Sequence, residues 1–344
     1  MKILAVTHAL PSRRISNDDV LRAFRVANSE RFGEVELAIL EAQVRGALEN
    51  AGTRDRYSLA PGELAVDFAL DATRRALRIA SVPPEAIDFV IYGGVGRALI
   101  EPAMVNVLQA ELGLVNATGF DIVDGCASWL RALQIAERYL DAGGGRYALL
   151  VNCECGFGRY IHYDIARPED LEYHFATFTV SEAATATVVE AGGDAESYFT
   201  FRNFGEHYDL CMLPIDDGRQ FLRRPLPEGA APMHLFSMSR RLLTIAADKI
   251  VDMFQADPML QGRTYDICFG HAASKRAEEG VLRRIGFPVE DYVGTHAIFG
   301  NTVSASVPLG MSVALETGRL RRGQRVLVIV AAGGIVVGLG RFTF

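Results

Sequence analysis

Short, unbroken apolar runs alternate along the chain with longer stretches whose apolar positions recur every three or four residues. Met1-Lys2-Ile3-Leu4-Ala5-Val6 reads as a first strand. Ser16-Asn17-Asp18-Asp19 then offers a cap and an acidic first turn for a helix through Ala27, and Glu34 to Glu49 carries a second amphipathic pattern in Val35, Ala38, Ile39, Val44 and Leu48. Glu63 to Ala80 predicts a third helix, which Pro83-Pro84 separates from the apolar strand Phe89-Val90-Ile91-Tyr92. Pro102 to Leu112 is helical again. The next run, Gly119 to Val123, turns at Asp124-Gly125 and leads into a helix with Leu130, Leu133, Ile135, Ala136 and Leu140 at helical spacing.

Strand Tyr147 to Asn152 follows that helix, residues 160 to 180 read as loop, and Ala183 to Glu190 reads as a short buried strand pair. Asp194-Ala195-Glu196 opens new material that repeats the plan. Helices are predicted over Ser237 to Phe254, Ala272 to Ile285 and Ser304 to Thr317, with strands over Tyr265 to Gly270 and Arg325 to Val330. The 23 positions from Cys126 to Leu149 are matched by 23 from Ser304 to Leu327, and both intervals run helix, turn, apolar strand. Strands alternating with helices predict an α/β protein with mostly parallel sheets, and the repeated order predicts an internal duplication.

Composition narrows the class. With 344 residues, 49% of them hydrophobic, the chain can bury a large core, and 33 glycines suit many tight turns. A net charge of −7 without a Lys/Arg block excludes nucleic acid as the main partner. No stretch of 18 apolar residues reads as a membrane span, and the N-terminus lacks a signal-peptide pattern, so the expected location is cytoplasmic. Five cysteines (126, 153, 155, 211 and 268) have no metal-ligand spacing, and no metal site is expected.

Candidate chemistry falls at the junctions between elements. Cys126 stands where a strand gives way to a helix, and the helix N-terminus favours a thiolate; read locally, it is either a reactive thiol or a small buried hydrophobe. A cysteine nucleophile needs partners from distant sequence. His271 follows the strand ending Phe269-Gly270, the kind of strand end where α/β sheets build sites. Asn301 lies in Gly300-Asn301-Thr302-Val303-Ser304, a loop-to-helix junction like that of Cys126, and reads alternatively as a cap. Gly333, after the last long strand, presents an unobstructed backbone N–H or makes an ordinary turn. His162, His174, His207 and His234 lie in polar context and read as surface histidines, while His296 is close to Asn301.

In order, these motifs resemble the thiolase superfamily, specifically the β-ketoacyl-acyl-carrier-protein synthase III group of condensing enzymes. The resemblance rests on Asp124-Gly125-Cys126-Ala127-Ser128, Gly270-His271-Ala272-Ala273-Ser274-Lys275-Arg276, Gly300-Asn301-Thr302-Val303-Ser304-Ala305-Ser306-Val307-Pro308, and Gly333-Gly334 with Gly338. Gly52-Thr53-Arg54-Asp55-Arg56 is an outlying match. It implies a thiolase fold, a duplicated five-layer αβαβα arrangement, whose N-terminal half (1–190) carries the cysteine and whose C-terminal half (191–344) carries the histidine and asparagine. It further implies that Cys126 takes an acyl group as a thioester, that His271 and Asn301 assist Claisen condensation with a second acyl thioester, and that the N–H groups of Cys126 and Gly333 form an oxyanion hole. A homodimer, no cofactor, and acyl groups carried on the phosphopantetheine of an acyl carrier protein or coenzyme A are also implied.

Departures from the family pattern refine this expectation. The usual His-Gln-Ala-Asn is His271-Ala272-Ala273-Ser274 here, and the arginine that often contacts the coenzyme A nucleotide is Asn50. An acidic carrier protein is therefore the expected donor, met by Arg276, Lys275, Arg240, Arg241 and Lys249. Arg97-Ala98-Leu99-Ile100-Glu101-Pro102-Ala103 is similar to the segment of olefin-pathway and pyrone-forming ketosynthases in which a glutamate reaches the partner subunit's site as a base. Glu101 would be that base, and its competing role is an acidic residue in the first turn of a helix. Such features favour polyketide or other specialised acyl metabolism. The alternatives are a same-fold acyltransferase acting on a hydroxyl or amine, and a non-catalytic dimerisation partner of an active homologue.

Overall fold

The structure, a computed structural model, describes residues 1–193, 197–216, 218–271 and 273–344. Asp194-Ala195-Glu196, where the sequence places the opening of the second half, and Ala272 of the His271 motif lie outside the described residues. In chain order the elements begin β1 (Lys2–Ala9), β2 (Arg13–Ser16), α1 (Asn17–Asn28), α2 (Glu34–Ala51), β3 (Asp55–Ser58), α3 (Ala65–Ala80), β4 (Phe89–Gly93) and α4 (Met104–Leu112). They continue with β5 (Thr118–Ile122), α5 (Ser128–Asp141), β6 (Tyr147–Cys153), β7 (Ala184–Glu190), β8 (Tyr198–Asn203), β9 (Cys211–Met212), β10 (Phe236–Ser237) and α6 (Ser239–Ala256). The last are β11 (Ile267–Gly270), α7 (Lys275–Ile285), β12 (Tyr292–Val293), α8 (His296–Phe299), α9 (Ser306–Glu316), β13 (Arg325–Ala332) and β14 (Val336–Thr343).

Two five-stranded sheets carry the same plan. One has the order β1-β7-β6-β4-β5, the other β8-β14-β13-β11-β12, and in each only the second strand of that order runs against the rest. The duplication expected from the matched intervals is thus a duplication of sheet topology. The segment read as a strand pair at Ala183 to Glu190 is a single strand, β7, because it pairs along its length with β1 on one side and β6 on the other.

Helix starts differ from the periodicity for local reasons. α3 begins at Ala65 because the Glu63 carboxylate is used in the preceding turn, accepting the Ala60 N–H at 2.7 Å. α4 begins at Met104, where Asp121 of the neighbouring β5 accepts the Met104 and Val105 N–H groups at 2.8 and 3.1 Å. Phe236-Ser237 pairs with Cys211-Met212 as β10 and β9, which delays α6 to Ser239. α9 begins at Ser306 because Val303–Ala305 form a 3-10 turn first.

The layers follow from which faces are apolar. α5 and α9 lie between the two sheets, where Trp129, Leu130 and Leu133 share one core with Val307, Met311 and Ala314. α9 is buried on nearly all sides, which explains why its sequence is apolar all round rather than in one stripe. Leu70, Leu77 and Leu108 of α3 and α4 cover the outer face of the first sheet, and Ile250, Phe254 and Leu282 of α6 and α7 cover that of the second. A smaller cluster joins α1 and α2 to Phe178 from the long connection between β6 and β7. Among the described residues no helix is long and apolar enough to cross a membrane.

Trp129 ties the central layer to the first sheet, its buried indole N–H donating to Thr187 Oγ1 at 3.0 Å. Replacing Trp129 by alanine is expected to cost about 3–5 kcal/mol in a urea unfolding series, since it leaves a large cavity and an unpaired hydroxyl between packed layers. Replacing the exposed Val26 by alanine serves as the reference and is expected to change stability by less than about 0.5 kcal/mol.

Candidate active site

Cys126 sits in a 3-10 turn, Gly125–Ala127, that runs directly into α5. Gly125 has φ +51°, and a Cβ built on it would lie 3.4 Å from the Ala332 Cβ, so this turn rests against the end of β13. The thiol is surrounded by an apolar cluster that includes Phe157, Tyr160, Val180 and Val303, with Met233 and Leu235 at its margin. The expectation that the helix N-terminus favours the thiolate is not met. Burial pushes the Cys126 thiol well above its usual range, and the neighbouring Cys211 and Glu154 add to the effect.

The Asn301 junction is locked by backbone pairing across the chain. Asn301 N–H donates to the Thr179 carbonyl and Ser181 N–H to the Asn301 carbonyl, both at 2.8 Å. This close approach requires glycine at position 300. Its φ of +64° is accompanied by ψ of −161°, and a Cβ there would lie 2.7 Å from the Thr179 carbonyl oxygen. Asn301 Oδ1 accepts the Val303 N–H at 2.9 Å, which fixes the orientation of the side-chain amide. Val303 itself has φ +51°, a strained position for a β-branched residue.

His271 follows β11 and bonds to the backbone of this same strained Val303. Burial drives its imidazole down to about 3; the charge of His296 pushes in the same direction and the Val303 bond opposes them. His271 is therefore neutral at ordinary pH, and its buried Nδ1 has no hydrogen-bond partner among the described residues. His296 lies deeper, its Nε2 2.6 Å from Thr53 Oγ1, and joins α8 to the Gly52-Thr53 segment. Gly333 occupies the turn between β13 and β14, where a Cβ would lie 3.1 Å from the Cys211 carbonyl oxygen and 3.4 Å from its Sγ. The Cys126 turn thus meets the end of β13 at Ala332 and the Asn301 turn at the cluster holding Val303, and His271 joins the latter through its bond to Val303.

Sequence reading missed Glu154. It is fully buried at the end of β6, accepts N–H groups of Gly96 at 2.7 Å, Val95 at 3.2 Å and Ser304 at 3.3 Å, and takes a further bond from the Ser304 hydroxyl. The signal was an acidic residue ending an otherwise apolar strand, in Cys153-Glu154-Cys155, where only the cysteines drew attention. Cys211, half-buried beside Gly333, had no signal at all.

Other expected residues lie apart from this group. Glu101 is exposed in the loop before α4, three residues ahead of the helix, so it is not a first-turn helix acid. Arg240 and Arg241 are exposed at the start of α6 and Lys275 and Arg276 at the start of α7, while Lys249 lies over the Phe204 ring at 4.8 Å. The rings of His162 and His234 stack at 3.5 Å, and His174 Nδ1 is 3.3 Å from the His162 carbonyl, so three of the four histidines in polar context form a cluster. His207 lies 3.8 Å from Glu206.

The duplicated α/β fold is the one that the resemblance to thiolase-superfamily condensing enzymes implies. Residues 120–205 match the family model described as 3-oxoacyl-[acyl-carrier-protein (ACP)] synthase III, and residues 258–341 match the model of its C-terminal part. One matched segment lies in each half of the chain. The β-ketoacyl-[acyl-carrier-protein] synthase III of Methylococcus capsulatus is 28% identical over 334 residues, which is 96% of this chain and 94% of that protein. That of Xanthomonas campestris pv. campestris is 27% identical over 330 residues, with the same coverage. In fold, the chain is similar to the 3-oxoacyl-[acyl-carrier-protein] synthase III of Aquifex aeolicus (TM-score 0.82, 19% identity, 100% and 99% of the two chains). It is equally similar to Xanthomonas campestris OleA solved with lauric acid and lauroyl-CoA (TM-score 0.83, 19% identity, 99% and 98%).

The depressed imidazole makes stability depend on pH. Above pH 6.5 the ring is neutral in both folded and unfolded chains and contributes nothing. Below it the unfolded chain takes up a proton that folded His271 refuses, so stability is lost progressively as pH falls toward about 3. Urea unfolding between pH 7 and 4 is expected to show a steeper loss for the wild type than for His271→Gln. Equal slopes would mean that the ring is not held neutral.

Proposed function

We propose that this chain joins two acyl thioesters by Claisen condensation through an acyl-Cys126 intermediate. The observation that carries the reading is the meeting of the Cys126, Val303 and Ala332 turns, with His271 bonded to Val303 and Asn301 two residues away. The raised thiol is suited to a resting nucleophile that must lose its proton only as its sulfur attacks the thioester carbonyl, expelling the carrier thiol. In the second step the α-carbon of the acceptor, made nucleophilic by loss of CO2 from a malonyl group or by loss of its proton to a base, attacks the acyl-Cys126 carbonyl, and the cysteine sulfur leaves as a thiolate that is then reprotonated.

Negative charge appears on two oxygens during these steps. The N–H groups of Cys126 and Gly333 are assigned to the acyl-cysteine oxygen. The Asn301 amide, held by its own Oδ1 bond to Val303, and the neutral His271 ring are assigned to the acceptor's enolate oxygen. Donors of this kind, fixed before the charge forms, typically contribute about 3 kcal/mol each. Cys126 packs against an apolar cluster, a low-polarity setting in which such bonds are stronger than in water.

The finer parts of the reading concern delivery and assembly. The exposed basic residues at the starts of α6 and α7 support an acidic acyl carrier protein as donor, and Asn50 removes one contact for a coenzyme A nucleotide. β5 is an edge strand with exposed Phe120, flanked by exposed Ile100, Val115 and Val123, which supports pairing with a second copy. Glu101 adjoins that apolar edge, which supports its acting across a dimer as the base for a non-malonyl acceptor in specialised acyl metabolism. The free cysteines suit a cytoplasmic setting.

Incubation with medium- and long-chain acyl thioesters, followed by intact-mass measurement, is expected to add one acyl group to the wild type and none to Cys126→Ala. An adduct on both proteins, or on neither with every thioester tried, would overturn the mechanism, and an ester or amide product would move the activity to acyl transfer. Glu101→Ala is expected to lose at least about tenfold in rate with a non-malonyl acceptor and little with a malonyl one. Unchanged rates with both would remove Glu101 from the reaction.

A further inference from the structure

Glu154 joins two loops that belong to different halves of the chain. From β4 it holds Val95 and Gly96, at the base of the segment leading to Glu101; from the junction before α9 it holds both the N–H and the hydroxyl of Ser304. The glycines around it are shaped by its presence. A Cβ on Gly94 would lie 2.8 Å from Glu154 Oε1 and 3.1 Å from Ser304 Oγ, and one on Gly96 would lie 3.1 Å from Oε2. Tyr92 completes the base of the loop, its hydroxyl donating to the carbonyls of Cys153, at 2.9 Å, and Gly96.

A carboxyl group buried among apolar strands costs several kcal/mol unless its oxygens are occupied. Four donors converge on this one, and an ionised carboxylate is acceptor-only, so the arrangement suits the charged form. Three residues before Ser304 stands Asn301, and between them is the strained Val303 that contacts His271. A left-handed valine persists only where its surroundings over-determine it. Beside the Val303 N–H bond to Asn301 Oδ1, the Ser304 bonds to Glu154 restrain the next residue of the same turn.

We propose that Glu154 is a positioning residue: it locks the turn carrying Asn301 and Val303 onto the loop that leads to Glu101. The inference rests on the reading of Cys126 as the acylated nucleophile. Charged and titratable neighbours of that thiol are Cys211 on β9, Glu154 at the end of β6 and Asp124 on its own turn, the last paired with Arg131 at 2.9 Å. Of the carboxylates, Glu154 is the one without a cationic partner among the described ion pairs. Burial raises its own carboxyl, and the Ser304, Gly96 and Val95 bonds act against that rise.

The test separates the two steps of the reaction in the intact enzyme. Acyl-enzyme formation by intact mass and the rate of condensation are measured for wild type, Glu154→Gln and Ser304→Ala. Glu154→Gln is expected to slow condensation at least about tenfold more than it slows acylation. Ser304→Ala keeps the carboxylate but removes one tie, so condensation is expected to fall in the same sense while acylation is retained.

If Glu154→Gln condenses at the wild-type rate, or loses acylation and condensation equally, the proposal is overturned. If Glu154→Gln does not fold, Ser304→Ala decides: wild-type condensation in that variant dismisses the clamp. Failure of the wild type itself to form an acyl-enzyme would instead remove the underlying reading of Cys126.

Discussion

The packing of α5 and α9 between two sheets is the constraint on which the rest of this molecule depends. Each helix must bury its apolar surface against a sheet on either side, and Trp129, Leu130, Val307 and Met311 meet in one core for that reason. Once the two helices lie in the same layer, the turns that precede them are also neighbours. Those turns carry Cys126 and Asn301-Val303-Ser304, and the end of β13 adds Ala332 and Gly333 against the first. Chemistry is thereby assembled from residues far apart in the chain by the same packing that makes the core.

Glycine and strain mark where the backbone is forced to serve this arrangement. Gly300 alone tolerates a dihedral pair and a carbonyl contact that no side chain admits, and the bridge from Asn301 to Thr179 and Ser181 depends on it. Val303 accepts a left-handed conformation and in exchange presents its backbone to His271 and its N–H to Asn301. Burial then decides protonation. A helix dipole is worth about 0.3–1 kcal/mol at a terminus, whereas full desolvation moves a thiol or imidazole by several pH units, each about 1.4 kcal/mol. Cys126 and His271 accordingly rest in their neutral forms.

Much of this was legible in order and spacing. The matched intervals after Cys126 and Ser304 correspond to α5–β6 and α9–β13, and the apolar runs marked most of the central strands because a strand covered on both faces has no polar alternation to hide it. Ala183 to Glu190 was less legible. Its run is long enough for two short strands, and only partners on both edges make it one. Helix starts were displaced where a distant group took over the cap, as Asp121 does for Met104.

By itself the sequence determined the local grammar: which stretches are strands or helices, where turns demand glycine, and that a cysteine, a histidine and an asparagine each stand at such a turn. Those are properties of nearest neighbours, written in periodicity and in residue type. Tertiary structure alone decided what surrounds each group. The neutral His271, the raised Cys126 thiol and the contact of Cys211 with Gly333 all arise from groups brought together across the fold. Glu154 is the clearest case: as a letter it is one acid at the end of a strand, and only the packing of two halves converts it into a buried carboxylate with four donors.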